Sequence, residues 1–151
     1  RKGITLEQVK KAFRITKEAG IQTAAYFMIG SPTETKEDIL QTVEFMKKID
    51  PDYVHITITT PFPATDLYEM ALGENVIAND VWRDFAKNPQ PGFLPPIWEK
   101  ELPRAELSSL LKKAYKSFYF RPKYILKRIL QLKSPQEFFQ KSLAALKLLK
   151  I

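Results

Sequence analysis

The spacing of hydrophobic positions changes several times along the chain, and each change predicts an element. Leu6, Val9 and Phe13 recur at helical spacing behind Thr5, which has Gln8 three residues on as a capping box and Ile4 placed to staple onto Val9. Gly20 follows Ala19 as the glycine expected just past a helix end. Thr23 to Gly30, TAAYFMIG, has no helical stripe and reads as a buried strand. Ile39, Val43, Met46 and Ile49 then form a second helical stripe, with Ser31 or Thr35 as its cap, since Ser31–Glu34 and Thr35–Asp38 both have the box spacing.

After the break at Asp50-Pro51-Asp52, YVHITITT alternates cleanly. Val54, Ile56 and Ile58 share one face, and Tyr53, His55, Thr57 and Thr59 share the other. A strand covered on both faces would be apolar throughout, so the second face expects a wet neighbour. Helix, strand, helix, strand with short connections is the grammar of a parallel α/β fold, and two strands are an incomplete sheet.

From Pro61 to Pro103 the periodicity fades. PFPATDLYEMAL fits a turn and a short helix, and NPQPGFLPPIWEKELP is too rich in proline for either period, which predicts an ordered but irregular cover. Helical spacing returns in Leu107, Leu110, Leu111, Ala114 and Phe118, is interrupted at Arg121-Pro122, and resumes from Tyr124 to Leu132. Ser134-Pro135-Gln136-Glu137 opens a last helix over Phe138 to Leu149. The chain thus divides into an α/β part over 1–70, a cover over 71–103 and a helical tail over 104–151.

Composition adds that the 151 residues, 44% of them apolar, suffice for a packed core. The net charge of +7 is lopsided: residues 1–103 hold 12 basic and 15 acidic side chains, and residues 104–151 hold 12 basic and 2 acidic. The basic amphipathic tail therefore supports one reading as a non-catalytic binding module for an anionic membrane surface, a nucleic acid or a protein partner. With no cysteine, the chain has no disulfide and no thiolate for zinc or an iron-sulfur cluster. No apolar run approaches the ~20 residues of a membrane span and no signal peptide opens the chain, so a soluble cytoplasmic protein is expected. The start Arg1-Lys2-Gly3-Ile4-Thr5 lacks Met and reaches a helix signal at once, which reads as part of a longer chain.

Candidate chemistry gathers at the strand ends. In parallel α/β folds ligands bind beyond the carboxyl ends of the strands, where Gly30 permits close approach to the backbone and Glu34 carries a carboxylate. Glu34 has a purely local explanation too, as the closing residue of a capping box. The loop Pro61 to Thr65 leaves the second strand on the same side.

FMIGSPTETKEDILQTVEFMKKIDPDYVHITITTPFPATDLYEMA resembles the last strand-helix units of radical S-adenosylmethionine enzymes, particularly their cobalamin-binding group. GITLEQVKKAFRITKEAGI resembles the helix before these units, and KKAYKSFYFRPKYILKRI the helical tail after them. Gly30 and Glu34 fall on the glycine and the following glutamate of the family's glycine-x-isoleucine-x-glycine strand motif. Tyr26 replaces its first glycine, Met28 its isoleucine, and Ala64 the glycine of its proline-glycine-threonine loop.

The resemblance implies the C-terminal strand-helix units of a partial (β/α) TIM-like barrel followed by an α-helical tail. It implies a parent enzyme with S-adenosylmethionine and a 4Fe-4S cluster, with cobalamin left open, acting on a small-molecule or lipid-like substrate. Met28, Gly30 and Glu34 would lie on the adenine side of the cofactor, and His55, Thr57 and Phe62 would line the substrate. The three cluster cysteines of the family are absent, so the chain is expected to hold no metal or catalytic residue, to be inactive alone, and to pair with a missing N-terminal part. An exposed sheet edge would make it self-associate.

Overall fold

A computed structural model describes residues 3–130. The predicted helix over Phe138 to Leu149 lies outside these residues. The order is α1 (Leu6–Glu18), β1 (Ala24–Ile29), α2 (Lys36–Ile49), β2 (Tyr53–Ile58), α3 (Asp66–Gly73), α4 (Val81–Lys87), α5 (Arg104–Tyr119) and α6 (Pro122–Leu130). The class is α/β: six helices and one sheet of two parallel strands in the described residues, with Tyr26 opposite His55 and Met28 opposite Thr57.

Local chemistry sets the boundaries. Thr5 and Gln8 form the expected capping box of α1. The helix ends in a Schellman motif, with Gly20 at φ 74, its N–H donating to Lys17 O and the Ile21 N–H to Thr16 O. The choice of cap for α2 falls to Thr35, whose hydroxyl accepts from the Asp38 N–H while the Asp38 carboxylate accepts from the Thr35 N–H. α4 has no counterpart in the predicted irregular cover. Its signal is short: Asp80 as N-cap, with Val81 and Phe85 one turn apart.

One face of the sheet is packed. Ile29, Val54 and Ile56 meet Ile39, Val43 and Met46 of α2 and Leu107, Leu110, Ala114 and Phe118 of α5. A second cluster holds Tyr68, Ala71, Ile77 and Trp98, with Trp82 against it. Ile97 belongs to the first cluster and its neighbour Trp98 to the second, so the proline-rich segment ties the two together.

The two edges of the sheet are treated differently. Tyr53 N–H donates to Thr23 O and Thr59 N–H to Ile29 O, which assigns the odd-numbered backbone groups to the pairing between the strands. The polar groups of Val54 and Ile56 consequently point to the outer edge of β2. There the hydroxyls of Tyr119 and Tyr115, one helical turn apart on α5, accept from their N–H groups and donate to their carbonyls. β2 is thus closed to a further strand. On the outer edge of β1, Ala24, Tyr26 and Met28 have no partner strand among the described residues.

At the opposite end from Gly30, Asp52 is 5% exposed and accepts from the Thr23 N–H at 2.9 Å and from Lys127 at 3.0 Å. Arg128 donates to its carbonyl oxygen. Burial pushes the Asp52 carboxyl up, but the Thr23 N–H, Lys127 and Arg128 outweigh it and hold the group below the usual carboxylate range. Asp50 beside it pairs with Arg121 at 3.0 Å and Lys17 at 3.4 Å. No helix among the described residues is long and apolar enough to cross a membrane.

Candidate functional site

The second face of the sheet is bare. Tyr53, His55 and Thr57 of β2 are exposed, as the alternation predicts, and so are Ala24, Tyr26 and Met28 of β1. The latter corrects the expectation of a buried β1. In the sequence Ala24, Tyr26 and Met28 merge with Ala25, Phe27 and Ile29 into one continuous apolar run, whereas only the second set is covered by helices. Tyr26 is 77% exposed and its ring meets the His55 ring edge-on at 5.6 Å. Met28, 56% exposed, lies opposite Thr57, whose hydroxyl donates to Phe27 O at 3.4 Å.

Thr59 departs from the face assigned to it. It lies beyond the last residue of β2, is buried, and donates its hydroxyl to Ile29 O at 3.1 Å while meeting the Ser31 hydroxyl at 3.1 Å. It ties the two strand ends together instead of lining the open face.

Gly30 and Glu34 sit at this rim. The Glu34 N–H donates to Ser31 O across Pro32 and Thr33, and Thr33 has φ 65, a type II turn with proline at its second position. Glu34 Oε2 accepts from the Ser31 N–H at 2.9 Å, so the carboxylate holds the turn, and Oε1 is without a partner among the described residues. Gly30 has φ 74, and a Cβ there would stand 2.9 Å from Leu107 Cδ2. Both the backbone and the packing of α5 require glycine at this point.

Phe62 extends the rim on the far side of β2. It is 55% exposed and stacks on Trp82 at 5.2 Å, and the Trp82 Nε1–H donates to Pro61 O at 2.8 Å. Ala64 holds a left-handed conformation, φ 62, which glycine adopts more readily, and Thr65 behind it caps α3. The α3 Tyr68 hydroxyl donates to Asp80, the cap of α4. Burial, then this bond, push the phenol up to about 12.

Met28, His55 and Thr57 therefore share the open face, Glu34 stands at its upper rim above buried Gly30, and Phe62 extends that rim from the loop after β2, stacked on Trp82 of the cover. Sequence reasoning missed Tyr26, Ser31 and Trp82 as parts of this surface. The alternation of Ala24, Tyr26 and Met28 is a signal for the first of them, but Trp82 reaches the rim only in the folded chain, through its stack on Phe62 and its bond to Pro61.

No family model matches the chain. Relatives do. An "uncharacterized methyltransferase" of Pyrococcus horikoshii is 38% identical over 131 residues, covering 86% of this chain and 27% of its own. The anaerobic magnesium-protoporphyrin IX monomethyl ester cyclase of Rubrivivax gelatinosus is 31% identical over 82% of this chain and 21% of its own. A putative methylthiotransferase of Methanocaldococcus jannaschii is 33% identical over 48% of this chain and 16% of its own. The matched segments lie in the C-terminal part of these relatives. The matches therefore define the chain as a C-terminal segment of such enzymes. The chain belongs to the radical S-adenosylmethionine family, and it spans about a quarter or less of the length of these relatives.

Proposed function

We propose that residues 24–70 are the closing strand-helix units of a partial (β/α) barrel and form one wall of the active site of a radical S-adenosylmethionine enzyme. The observation that carries this reading is the one-sided sheet. Parallel strands are normally covered on both faces, yet here a face with Tyr26, Met28, His55 and Thr57 is open while the other is fully packed. An interior cavity accounts for such a face, and the relatives' identities support an enzyme.

The chain's residues do not fit the cluster, since it has no cysteine and no group of three metal-ligating side chains gathers among the described residues. In the whole enzyme the cluster is held elsewhere. They do fit an adenine-bearing ligand at the rim: Met28 offers an exposed apolar contact and Glu34 Oε1 an acceptor not used by the fold, while buried Gly30, at φ 74, sets the bend that carries Glu34 there. S-adenosylmethionine, once bound and reduced by a cluster held outside these residues, would supply the radical chemistry toward the substrate. The wall's own part is to orient the cofactor at Met28, Gly30 and Glu34, to hold the substrate at His55, Thr57 and Phe62, and to exclude water.

The test uses the intact enzyme, loaded with cluster without oxygen and given reductant and S-adenosylmethionine. Formation of deoxyadenosine is expected. Met28→Glu, at an exposed position, should weaken cofactor affinity about tenfold or more while the melting temperature holds. No deoxyadenosine from a fully loaded enzyme refutes the activity, and unchanged affinity in Met28→Glu refutes the assignment of the rim.

A further inference from the structure

Helix α6 is turned the wrong way round for a surface helix. At 100° per residue, Tyr124, Lys127 and Arg128 share one side, and Ile125, Leu126, Ile129 and Leu130 share the other. The polar side faces the protein: Tyr124 donates its hydroxyl to Asp52 O at 2.9 Å, Lys127 pairs with the Asp52 carboxylate, and Arg128 lies over the Tyr53 ring at 4.7 Å. The apolar side faces outward, with Ile125 41%, Leu126 59%, Ile129 50% and Leu130 76% exposed. A surface helix normally shows the reverse.

The cations of the tail divide in the same way. Arg121 and Lys127 are spent on Asp50 and Asp52. Lys112, Lys113, Lys116 and Lys123 are exposed and have no acidic partner among the described residues. The first three line an open groove of about 660 Å³ along α5, which ends at Phe120 and Arg121 where α6 begins. Lys123 falls beside Leu126 and Leu130 on the helix wheel.

We propose that this surface docks on an anionic lipid bilayer, with Leu126, Ile129 and Leu130 entering the interface and Lys112, Lys113, Lys116 and Lys123 meeting lipid phosphates. An outward apolar stripe edged by unpaired lysines is what an interfacial helix presents, and it complements acyl chains and anionic headgroups at once. A nucleic acid would meet the lysines but leave the leucines exposed. The inward cations anchor α6 to Asp52, so the stripe is held outward by ion pairs and does not depend on lipid for its orientation. The inference is independent of the active-site reading.

The experiment is co-sedimentation of the intact protein with vesicles of phosphatidylcholine alone and of phosphatidylcholine mixed with phosphatidylglycerol. Binding to the mixed vesicles and little to the neutral ones is expected. Leu126→Gln with Leu130→Gln, and separately Lys112→Gln, Lys113→Gln and Lys116→Gln together, should each lower partitioning more than about tenfold, the second loss matching that caused by raised salt. Both sets are exposed, and an unchanged melting temperature confirms folding. Equal binding to neutral vesicles, binding indifferent to these substitutions, or no binding at all overturns the proposal. Light scattering that shows a dimer broken by Leu126→Gln, in protein that ignores vesicles, assigns the stripe to a second copy.

Discussion

The Tyr119 hydroxyl stands 3.1 Å from both backbone polar atoms of Val54, accepting from its N–H and donating to its carbonyl. Burial pushes the Tyr119 phenol up, so it keeps the proton that it donates. Tyr115 repeats the arrangement on Ile56. Removing one hydroxyl leaves two backbone groups of a sheet edge without partners, which costs about 1–3 kcal/mol. Tyr119→Phe should therefore lower the denaturation midpoint, and the double variant with Tyr115→Phe should also self-associate through the opened edge. A double variant as stable and as monodisperse as the parent would show that the hydroxyls do not close the edge.

Asp52 gives the fold an acid-sensitive joint. Its folded pKa lies below the ordinary value of 3.8, so its contribution is complete above that value and is lost as the pH falls through the folded pKa. Urea midpoints should decline steeply below about pH 4. Asp52→Asn, which breaks the pairs with Lys127 and Arg128, should cost about 3 kcal/mol at neutral pH and flatten that decline. A variant with the parent's slope would place the acid sensitivity elsewhere.

Gly30→Ala should destabilise by about 2 kcal/mol or more, because the φ of 74 disfavours a side chain and the new Cβ meets Leu107. The two causes separate in a double-mutant cycle. Leu107→Ala removes the contact but not the backbone strain, so part of the Gly30→Ala cost should persist in its presence. Full rescue would assign everything to the clash.

Thr33 holds a positive φ on a β-branched residue in the turn closed by Glu34. Asparagine tolerates this region better, so Thr33→Asn should stabilise by about 0.5–1 kcal/mol. A lowered melting temperature would mean that the Thr33 side chain contributes contacts that outweigh the strain.

The alternation of Val54, Ile56 and Ile58 against Tyr53, His55 and Thr57 was legible because side-chain direction in a strand follows sequence with period two. The caps at Thr5 and Thr35 were legible because their partners lie three residues away. The clasp of Tyr115 and Tyr119 on β2 was not, since its partners are 59 and 65 residues distant. Nothing local to Tyr124, Lys127 and Arg128 marks them as the inward side of α6, because their partner Asp52 lies 72 or more residues away in the chain. Glu34 shows the limit at the site: its spacing from Ser31 predicted the bond that forms, while the free Oε1 emerges only when the turn is built.

The cover is fastened to the end of β2 at two points, through Trp82 Nε1–H to Pro61 O and Trp98 N–H to Thr59 O. Between them, the residues from Asn88 to Pro95 are mostly exposed. Doubling the length of such a loop adds only about 0.6 kcal/mol to its closure. Insertions there leave the strand ends where they are, so the loop can change in length and sequence while the sheet beneath it keeps its geometry.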